Sequence, residues 1–458
     1  VRRLPAGAPI LSAAQMAAAE AACAARGIVP ADLMERAAHA VAREAARFAA
    51  GRPILVLAGP GNNGGDAYGA ACLLRAAGCD VRVAALGEPR AGAAAAMRAR
   101  WAGPVTSLAD APPRPFVIDG LFGTGMSRAF DGEAAARLCE DAFILSIDLP
   151  SGIDADRGAA LGDAIRADVT LALGSLKFAH VAGEAASRCG HVLLDPIGID
   201  VSSSARTIAR PRINPPAAAE HKYSRGLVCV IGGAMGGAAR LAAAAAARGG
   251  AGYVVLASDD RRTPLDAIVH REPDARSDTI ADVRTSALLI GPGLGRDAAA
   301  RAACAQALAS DLPLVLDGDA LALISIAALA ARRSPTILTP HGGEFDALFG
   351  AGDAPKIART VAAARASGAV VIHKGADTVI ADPEGNVIVA NPPSWLSTAG
   401  TGDVLAGLVA ARLAVTHAPM RAACEAVWLH QRAAGLAGAA LVADDLPMHV
   451  PQAIAECR

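Results

Sequence analysis

The chain repeats one pattern: a short, wholly apolar run, a turn of glycine and polar residues, then an alanine-rich helical stretch. Ile54-Leu55-Val56-Leu57-Ala58 feeds Gly59-Pro60-Gly61-Asn62-Asn63-Gly64-Gly65-Asp66, and a helix is expected from Ala67 to about Ala77. Gly78 ends that helix, and residues 81–86 form the next run. Apolar runs without alternation fit strands covered on both faces. Strand, Gly-rich turn, helix and strand make a βαβ unit, with a right-handed crossover as the default. Upstream, residues 11–50 read as helix, with Pro30 and Asp32 as an internal start signal. Further strand runs at 116–119, 143–148, 169–173 and 191–194 complete this half.

Between Ser202 and Glu220, three serines and Pro211, Pro215 and Pro216 read as a linker. The alternation then restarts. Strands are expected at 227–231, 253–256, 287–290, 314–316, 336–338 and 370–372, followed by a hairpin of 378–381 with 387–389. An alanine-rich helix is expected from about Ala238 to Arg248. At 458 residues the chain exceeds one hydrophobic core. The expected architecture is two doubly wound α/β domains, residues 1–208 and 209–458.

Composition narrows the function. Aromatics at 3% leave few stacking platforms, and a net charge of −1 implies no broad basic face, so nucleic-acid binding is disfavoured. The nine cysteines are scattered without a C-x-x-C pair, as expected for reduced thiols in a cytoplasmic protein. Arg2 and Arg3 precede an apolar stretch, but Pro5 and Pro9 interrupt it, so no signal peptide is read there. No apolar run approaches the roughly 20 residues of a membrane span, so no membrane partner is expected.

In open parallel sheets, ligands bind beyond the carboxyl ends of the strands. Gly59 to Asp66 matches neither the dinucleotide G-x-G-x-x-G spacing nor the P-loop. Asn63, Asp119 and Ser151 bring oxygens from three strand ends, a set that suits a hard cation. They could equally cap helices and fill a turn. In the second half, Lys374-Gly375 and Ser397-Thr398-Ala399-Gly400-Thr401-Gly402-Asp403 could flank a polyphosphate at a helix start. A carboxylate there opposes the anion that such a turn attracts. Asp403 is therefore either a base for a hydroxyl that attacks phosphate, or an ordinary first-turn acid. Asp317 and Asp319 are magnesium-side carboxylates or, more simply, strand-end caps. His341 and Glu344 follow another strand end. Lys222 and Tyr223 either reach a ligand or are solvated.

These motifs, in this order, resemble the bacterial two-domain NAD(P)H-hydrate repair family over nearly the whole chain. The first half resembles the Rossmann-like NAD(P)H-hydrate epimerase in Leu33-Met34-Glu35, Gly61 to Asp66, Asp119 to Gly125, and Asp148-Leu149-Pro150-Ser151-Gly152. The second resembles the ADP-dependent dehydratase of the ribokinase superfamily. It does so in Ile231-Gly232-Gly233, Gly291 to Gly295, Asp319-Ala320-Leu321, Thr339-Pro340-His341 with Glu344, Lys374-Gly375 with Thr378, and Gly402-Asp403-Val404-Leu405.

The resemblance implies substrate contacts at Asn62, Asn63, Gly64, Gly65, Asp66, Gly123, Thr124, Gly125, Met126, Ser127, Arg128 and Asp148. It implies potassium on Asn63, Asp119 and Ser151, and Asp148 as the proton-transfer residue at C6 of the hydrated ring. In the second half it places the hydrate near Ala238, Gly293, Gly295, His341 and Asp403. The adenine nucleotide, ADP with Mg2+, falls on Lys374, Gly375, Ala376, Asp377, Thr378 and Gly402, with Asp403 activating the C6 hydroxyl. The expected substrates are NADHX and NADPHX, and the expected products of dehydration are NAD(P)H, AMP and phosphate. A homo-oligomer is also expected. Ala38, Ala67 and Gly342 stand where the family usually has Gly, Gly and Pro, and the segment Lys177 to Gly190 departs from its pattern. The competing expectation is a ribokinase-like kinase of a small alcohol, with a non-catalytic nucleotide-binding module in front.

Overall fold

The computed structural model describes residues 4–458 except Arg90 and Ser127. Arg2 and Arg3 lie outside the described residues. The chain divides into two compact units, Val1–Thr207 and Ile208–Arg458.

The first unit opens with two helices, α1 (Ala13–Ala25) and α2 (Pro30–Ala49), where the sequence suggested one stretch. Gly27, at φ 80°, turns the chain between them, and Pro30 starts α2. Ser12 and Gln15 cap α1 reciprocally, each side chain accepting from the other's backbone N–H. Seven parallel strands follow: β1 (Ile54–Ala58), β2 (Val81–Ala85), β3 (Val105–Ser107), β4 (Phe116–Gly120), β5 (Phe143–Ile147), β6 (Val169–Leu173) and β7 (His191–Asp195). Their order is β3-β2-β1-β4-β5-β6-β7. β1 and β4 are buried along their full lengths, as their apolar runs require.

Helix α3 spans Asn62–Ala76, five residues earlier than the sequence suggested. Asn and Gly are poor helix formers, so the stretch reads as a turn. Tertiary packing overrides that preference. The Gly65 N–H already donates to the Gly61 carbonyl, and a Cβ on Gly64 would lie 1.8 Å from the Gly59 oxygen. Only glycine lets this first turn lie against the end of β1.

The second unit has nine strands among its described residues: β8 (Leu227–Ile231), β9 (Tyr253–Ala257), β10 (Val269–Arg271), β11 (Thr285–Ile290), β12 (Leu314–Leu316), β13 (Thr336–Leu338), β14 (Val370–His373), β15 (Thr378–Ala381) and β16 (Val387–Ala390). They run in the order β16-β15-β14-β13-β12-β11-β8-β9-β10. From β14 to β10 all pairs are parallel, while β14, β15 and β16 pair antiparallel. Helices α4 (Gly236–Arg248), α5 (Gly342–Phe349), α6 (Lys356–Ser367), α7 (Thr401–Thr416) and α8 (Pro419–Ala437) cover the sheet. α7 is buried nearly all round, and α4 packs on it so closely that a Cβ on Gly407 would lie 2.1 Å from the Ala242 oxygen.

Candidate active sites

In the first unit the carboxyl ends of β1, β4, β5 and β6 open into a cavity of about 900 Å³. Asn62, Asn63, Asp66, Gly123, Thr124, Gly125, Met126 and Asp148, all named as candidate substrate contacts above, line it. Gly64 and Gly65 are buried in α3 behind that wall. Arg128 is exposed and is not part of the lining, and Ser127 lies outside the described residues. Glu20, from α1, and Lys177, beyond β6, also line the cavity.

Asp148 follows β5 in a left-handed conformation, φ 61°, rare for a residue with a side chain. Its carbonyl is held by His180, whose Nε2 is 2.6 Å away. The His180 Nδ1 accepts from the Lys177 N–H, which leaves the hydrogen on Nε2 to donate. The Lys177 ammonium donates to Asp148 Oδ1 at 2.6 Å and to the carbonyls of Leu173 and Ser175 at 2.8 and 3.0 Å. With its side chain 1% exposed and three acceptors engaged, Lys177 holds the Asp148 carboxylate in place. The other Asp148 oxygen accepts from Thr124 N–H and faces the cavity. Sequence reasoning passed over Lys177 because a lone lysine between Leu176 and Phe178 reads as an interruption of an apolar run.

Asp119 and Ser151 do not cap helices. Asp119 is fully buried and accepts from the Ser146 hydroxyl (2.8 Å), the Ser151 hydroxyl (2.6 Å) and the Ser151 N–H (2.9 Å). Burial pushes its pKa up, against the hydrogen bonds from Ser151 and Ser146 that favour the charged form. Nearby, the Asn63 amide nitrogen donates to the carbonyls of Phe122 (2.9 Å) and Ile147 (3.2 Å). The amide NH2 thus stands between two carbonyls, where a small cation would also find oxygen ligands. With the amide turned over, Asn63 Oδ1, the two carbonyls, the Ser151 hydroxyl and Asp119 form an all-oxygen set that fits potassium. No cluster of three or more His, Cys, Asp or Glu suited to a transition metal occurs among the described residues.

In the second unit, α7 begins after Gly400, at φ 87°, so the N–H groups of Thr401, Gly402 and Asp403 have no intrahelical acceptor. His430 Nε2 holds the Thr401 carbonyl at 2.9 Å. Lys374, just past β14, lies under this turn: a Cβ on Gly402 would be 3.3 Å from its Nζ. The ammonium donates to Asp317 Oδ1 at 2.8 Å and lies 3.9 Å from Glu344. Burial alone would lower the Lys374 pKa, but Asp317, Glu344 and Asp403 raise it above its ordinary value. Burial pushes the Asp403 carboxyl up to about 6, with Asp317 adding to the shift and Lys374 opposing it. A carboxylate with that pKa beside helix-start N–H groups is suited to take a proton near neutral pH.

Asp317 stands at the N-cap position of the short turn Gly318–Ala322, as a strand-end cap would, but its side chain makes no cap bond. Asp317 accepts from Lys374 and from the Thr339 hydroxyl (2.6 Å), and Asp319 accepts from Gly295 N–H (3.0 Å) and Arg296 Nε (2.9 Å). Gly293, at φ 59°, seats its turn against Met235 and Ala238, where a Cβ would lie 3.0 Å from the Ala238 Cβ. The Ala238, Gly293 and Gly295 expectations therefore fall in one place. His341 caps α5, its Nδ1 accepting from Gly343 and Glu344 N–H while Glu344 accepts from His341 N–H. The loop from Lys374 to Thr378 is braced by Lys356 of α6, which donates to Lys374 O and to Asp377. The Thr378 hydroxyl is turned in to Gly375 O. Lys222 and Tyr223 lie elsewhere, at the amino ends of the strands, with the Tyr223 ring tilted against Tyr253 and the Lys222 ammonium over both rings.

Residues 228–455 match the family model described as NAD(P)H-hydrate dehydratase, and residues 30–179 match that of the YjeF-related protein N-terminus. The bifunctional NAD(P)H-hydrate repair enzyme Nnr of Mycobacterium tuberculosis is 36% identical over 409 residues, 83% of this chain and 84% of its own. The chain belongs to the bifunctional NAD(P)H-hydrate repair enzyme family. The family's representative from Thermosynechococcus vestitus is likewise 36% identical, over 429 residues and 83% of each chain. A ribokinase-like superfamily protein from Enterococcus faecalis superposes with a TM-score of 0.50 at 22% identity, covering 56% of this chain and 98% of its own, a likeness of fold. Membership in the repair enzyme family accounts for both units.

Proposed function

We propose that this chain repairs hydrated NAD(P)H, interconverting the R and S epimers of the hydrate in its first unit and dehydrating the S epimer in its second. The observation that carries this reading is family membership across both units, and the residues gathered at the strand ends of each unit support it. In the first, the Asp148 carboxylate faces a cavity large enough for a nicotinamide nucleotide. Asn63, Asp119 and Ser151 supply the potassium site, which would tie β4 and β5 to the start of α3.

In the second unit, Asp403 takes the proton of the C6 hydroxyl as that oxygen attacks the terminal phosphate of ADP. The N–H groups at the start of α7 and the Lys374 ammonium hold the phosphoryl charge. Loss of phosphate and a ring proton then restores the dihydronicotinamide and leaves AMP. A phosphate ester is a far better leaving group than hydroxide, so a kinase-like fold can perform a dehydration. Magnesium arrives with the nucleotide. Asp317 and Glu344 are engaged by protein donors, and Mg2+ commonly keeps phosphate and water ligands. The chain acts in the cytoplasm as a homo-oligomer.

The test supplies separated epimers of hydrated NADPH with ADP and magnesium. NADPH reappears from the S form, and from the R form through the first unit. A stable phosphorylated product in place of NADPH would show a small-molecule kinase instead.

A further inference from the structure

Besides Asp148, two further carboxyls line the first cavity, the exposed Glu20 and the buried Asp66, and the assignment of Asp148 leaves Asp66 unused. Asp66 lies in the second turn of α3, is 9% exposed and lines the cavity together with Asp148 and Lys177. Its carboxyl accepts no hydrogen bond from any described residue, unlike the carboxyls of Asp119 and Asp148. The residue is nine-tenths buried and its carboxyl meets only the cavity, so its charged form has no protein donor to offset the loss of bulk solvent.

We propose that Asp66 is the general acid of epimerisation, working opposite Asp148 as the base. The inference rests on the reading of the first unit as the epimerase. Two carboxyls in one cavity, placed in opposed environments, divide into acid and base. Asp148 has two donors, the Lys177 ammonium and the Thr124 N–H. Asp66 has neither. Burial, and after it the negative charges of Asp148 and Glu20, push its pKa well above the usual carboxylate range. On α2, which packs against α3, Glu35 is engaged with Arg100 and Arg36 with the Ile197 carbonyl. Lys177 is fully committed to Asp148, Leu173 and Ser175.

The chemistry needs such a pair. C6 of the hydrate carries a hydroxyl and the ring nitrogen N1. Inversion follows if the C6–N1 bond opens and closes again on the other face. Asp148 takes the hydroxyl proton, the C6=O double bond forms, and the C6–N1 electron pair moves to N1, which takes the proton of Asp66. Rotation about C5–C6 turns the other face of the aldehyde to N1. Re-addition of N1 returns its proton to Asp66, and the oxygen recovers a proton from Asp148. Each group ends as it began, so no co-reactant is required.

The test uses the full chain without ADP and measures conversion of R to S hydrate after chromatographic separation. Asp66→Asn lowers the epimerisation kcat by about 100-fold with KM changed less than about threefold. Dehydration of supplied S hydrate with ADP stays at the wild-type rate, which shows that the chain is folded. Wild-type kcat falls at alkaline pH as the acid is lost, and this limb is absent from the residual activity of Asp66→Asn. Asp66→Glu, which keeps the acid, recovers a measurable share of the rate and restores the limb. An unchanged kcat with a raised KM would make Asp66 a binding residue only and overturn the proposal, as would an alkaline limb that survives in Asp66→Asn. A wild-type chain that leaves the epimers unchanged would overturn the epimerase reading itself. Wild-type epimerisation with an unaffected Asp66→Asn would overturn the role of Asp66 alone.

Discussion

Lys374 reaches Asp317 across 57 positions of sequence, its Nζ 2.8 Å from Oδ1. The pair joins the ends of β12 and β14 directly beneath the first turn of α7. Asp317 has a 3% exposed side chain and keeps two donors, Lys374 and Thr339. The ammonium is therefore fixed before any nucleotide arrives, and its charge costs little reorganisation when phosphate binds. Lys374→Met is expected to lower dehydration at least 100-fold and to weaken ADP binding, read by calorimetry. It also leaves Asp317 buried and unpaired, a change that typically costs about 3–5 kcal/mol. Lys374→Met with Asp317→Asn should recover stability without activity. Full dehydration by Lys374→Met would contradict the placement of phosphate over this lysine.

Asp403 carries the pH dependence of dehydration. Its pKa is raised to about 6, so the base form fills as pH rises through that value. Dehydration should plateau above about pH 7 and fall tenfold per unit well below 6, measured under saturating ADP. Asp403→Asn should abolish this limb and lower kcat by about 10²–10⁴, leaving epimerisation intact. Stability should move the other way. The folded chain holds this proton more tightly than the unfolded chain, so stability falls as pH rises from about 4 to 6. Asp403→Asn should therefore raise Tm at pH 7.5, and the gain should vanish near pH 4. A dehydration rate flat from pH 5 to 8 would remove Asp403 as the base.

Much of this was legible because buried parallel strands are written as unbroken apolar runs, and ligand residues follow their carboxyl ends. That logic located the Asn63, Asp148, Lys374 and Asp403 neighbourhoods. It failed where a partner is remote in sequence or packing overrules propensity. The roles of Asp317 and Asp319 are set by Lys374 and by the Gly295 turn, which no local pattern reveals. The start of α3 at Asn62 depends on the absence of side chains at Gly64 and Gly65, where a Cβ would meet Gly59 and Met34. Lys177 was hidden because its ammonium is buried among carbonyls supplied by its own loop.

The oxygen set around Asn63 predicts a cation dependence confined to one activity. Replacing KCl by choline chloride at constant ionic strength should slow epimerisation and leave potassium-independent dehydration as the internal reference. Asp119→Asn should remove the difference between the two salts. It also turns an acceptor of several buried donors into a half-donor, a loss of about 1–3 kcal/mol that hydrogen exchange in β4 and β5 would detect. Equal epimerisation in both salts would sink the cation site.

The Lys177–Asp148 pair separates a structural role from a chemical one. The Lys177 ammonium is committed to Asp148 and to the Leu173 and Ser175 carbonyls, so its effect runs through the carboxylate. Lys177→Met keeps the length of the chain but removes the ammonium, leaving Asp148 in a left-handed turn with only Thr124 N–H and a weak Leu173 N–H contact. Epimerisation kcat should fall by about 100-fold, and the first unit should lose about 3–5 kcal/mol, the usual cost of breaking a buried pair. Asp148→Asn alone should be equally inactive but should strand a buried lysine. The double variant Lys177→Met with Asp148→Asn should be more stable than either single variant and no more active, because its coupling energy is structural while the lost proton acceptor is not restored. Hydrogen exchange across β5 and β6 reads the stability, and conversion of R to S hydrate reads the chemistry. If the double variant regains epimerisation, Asp148 is not the base.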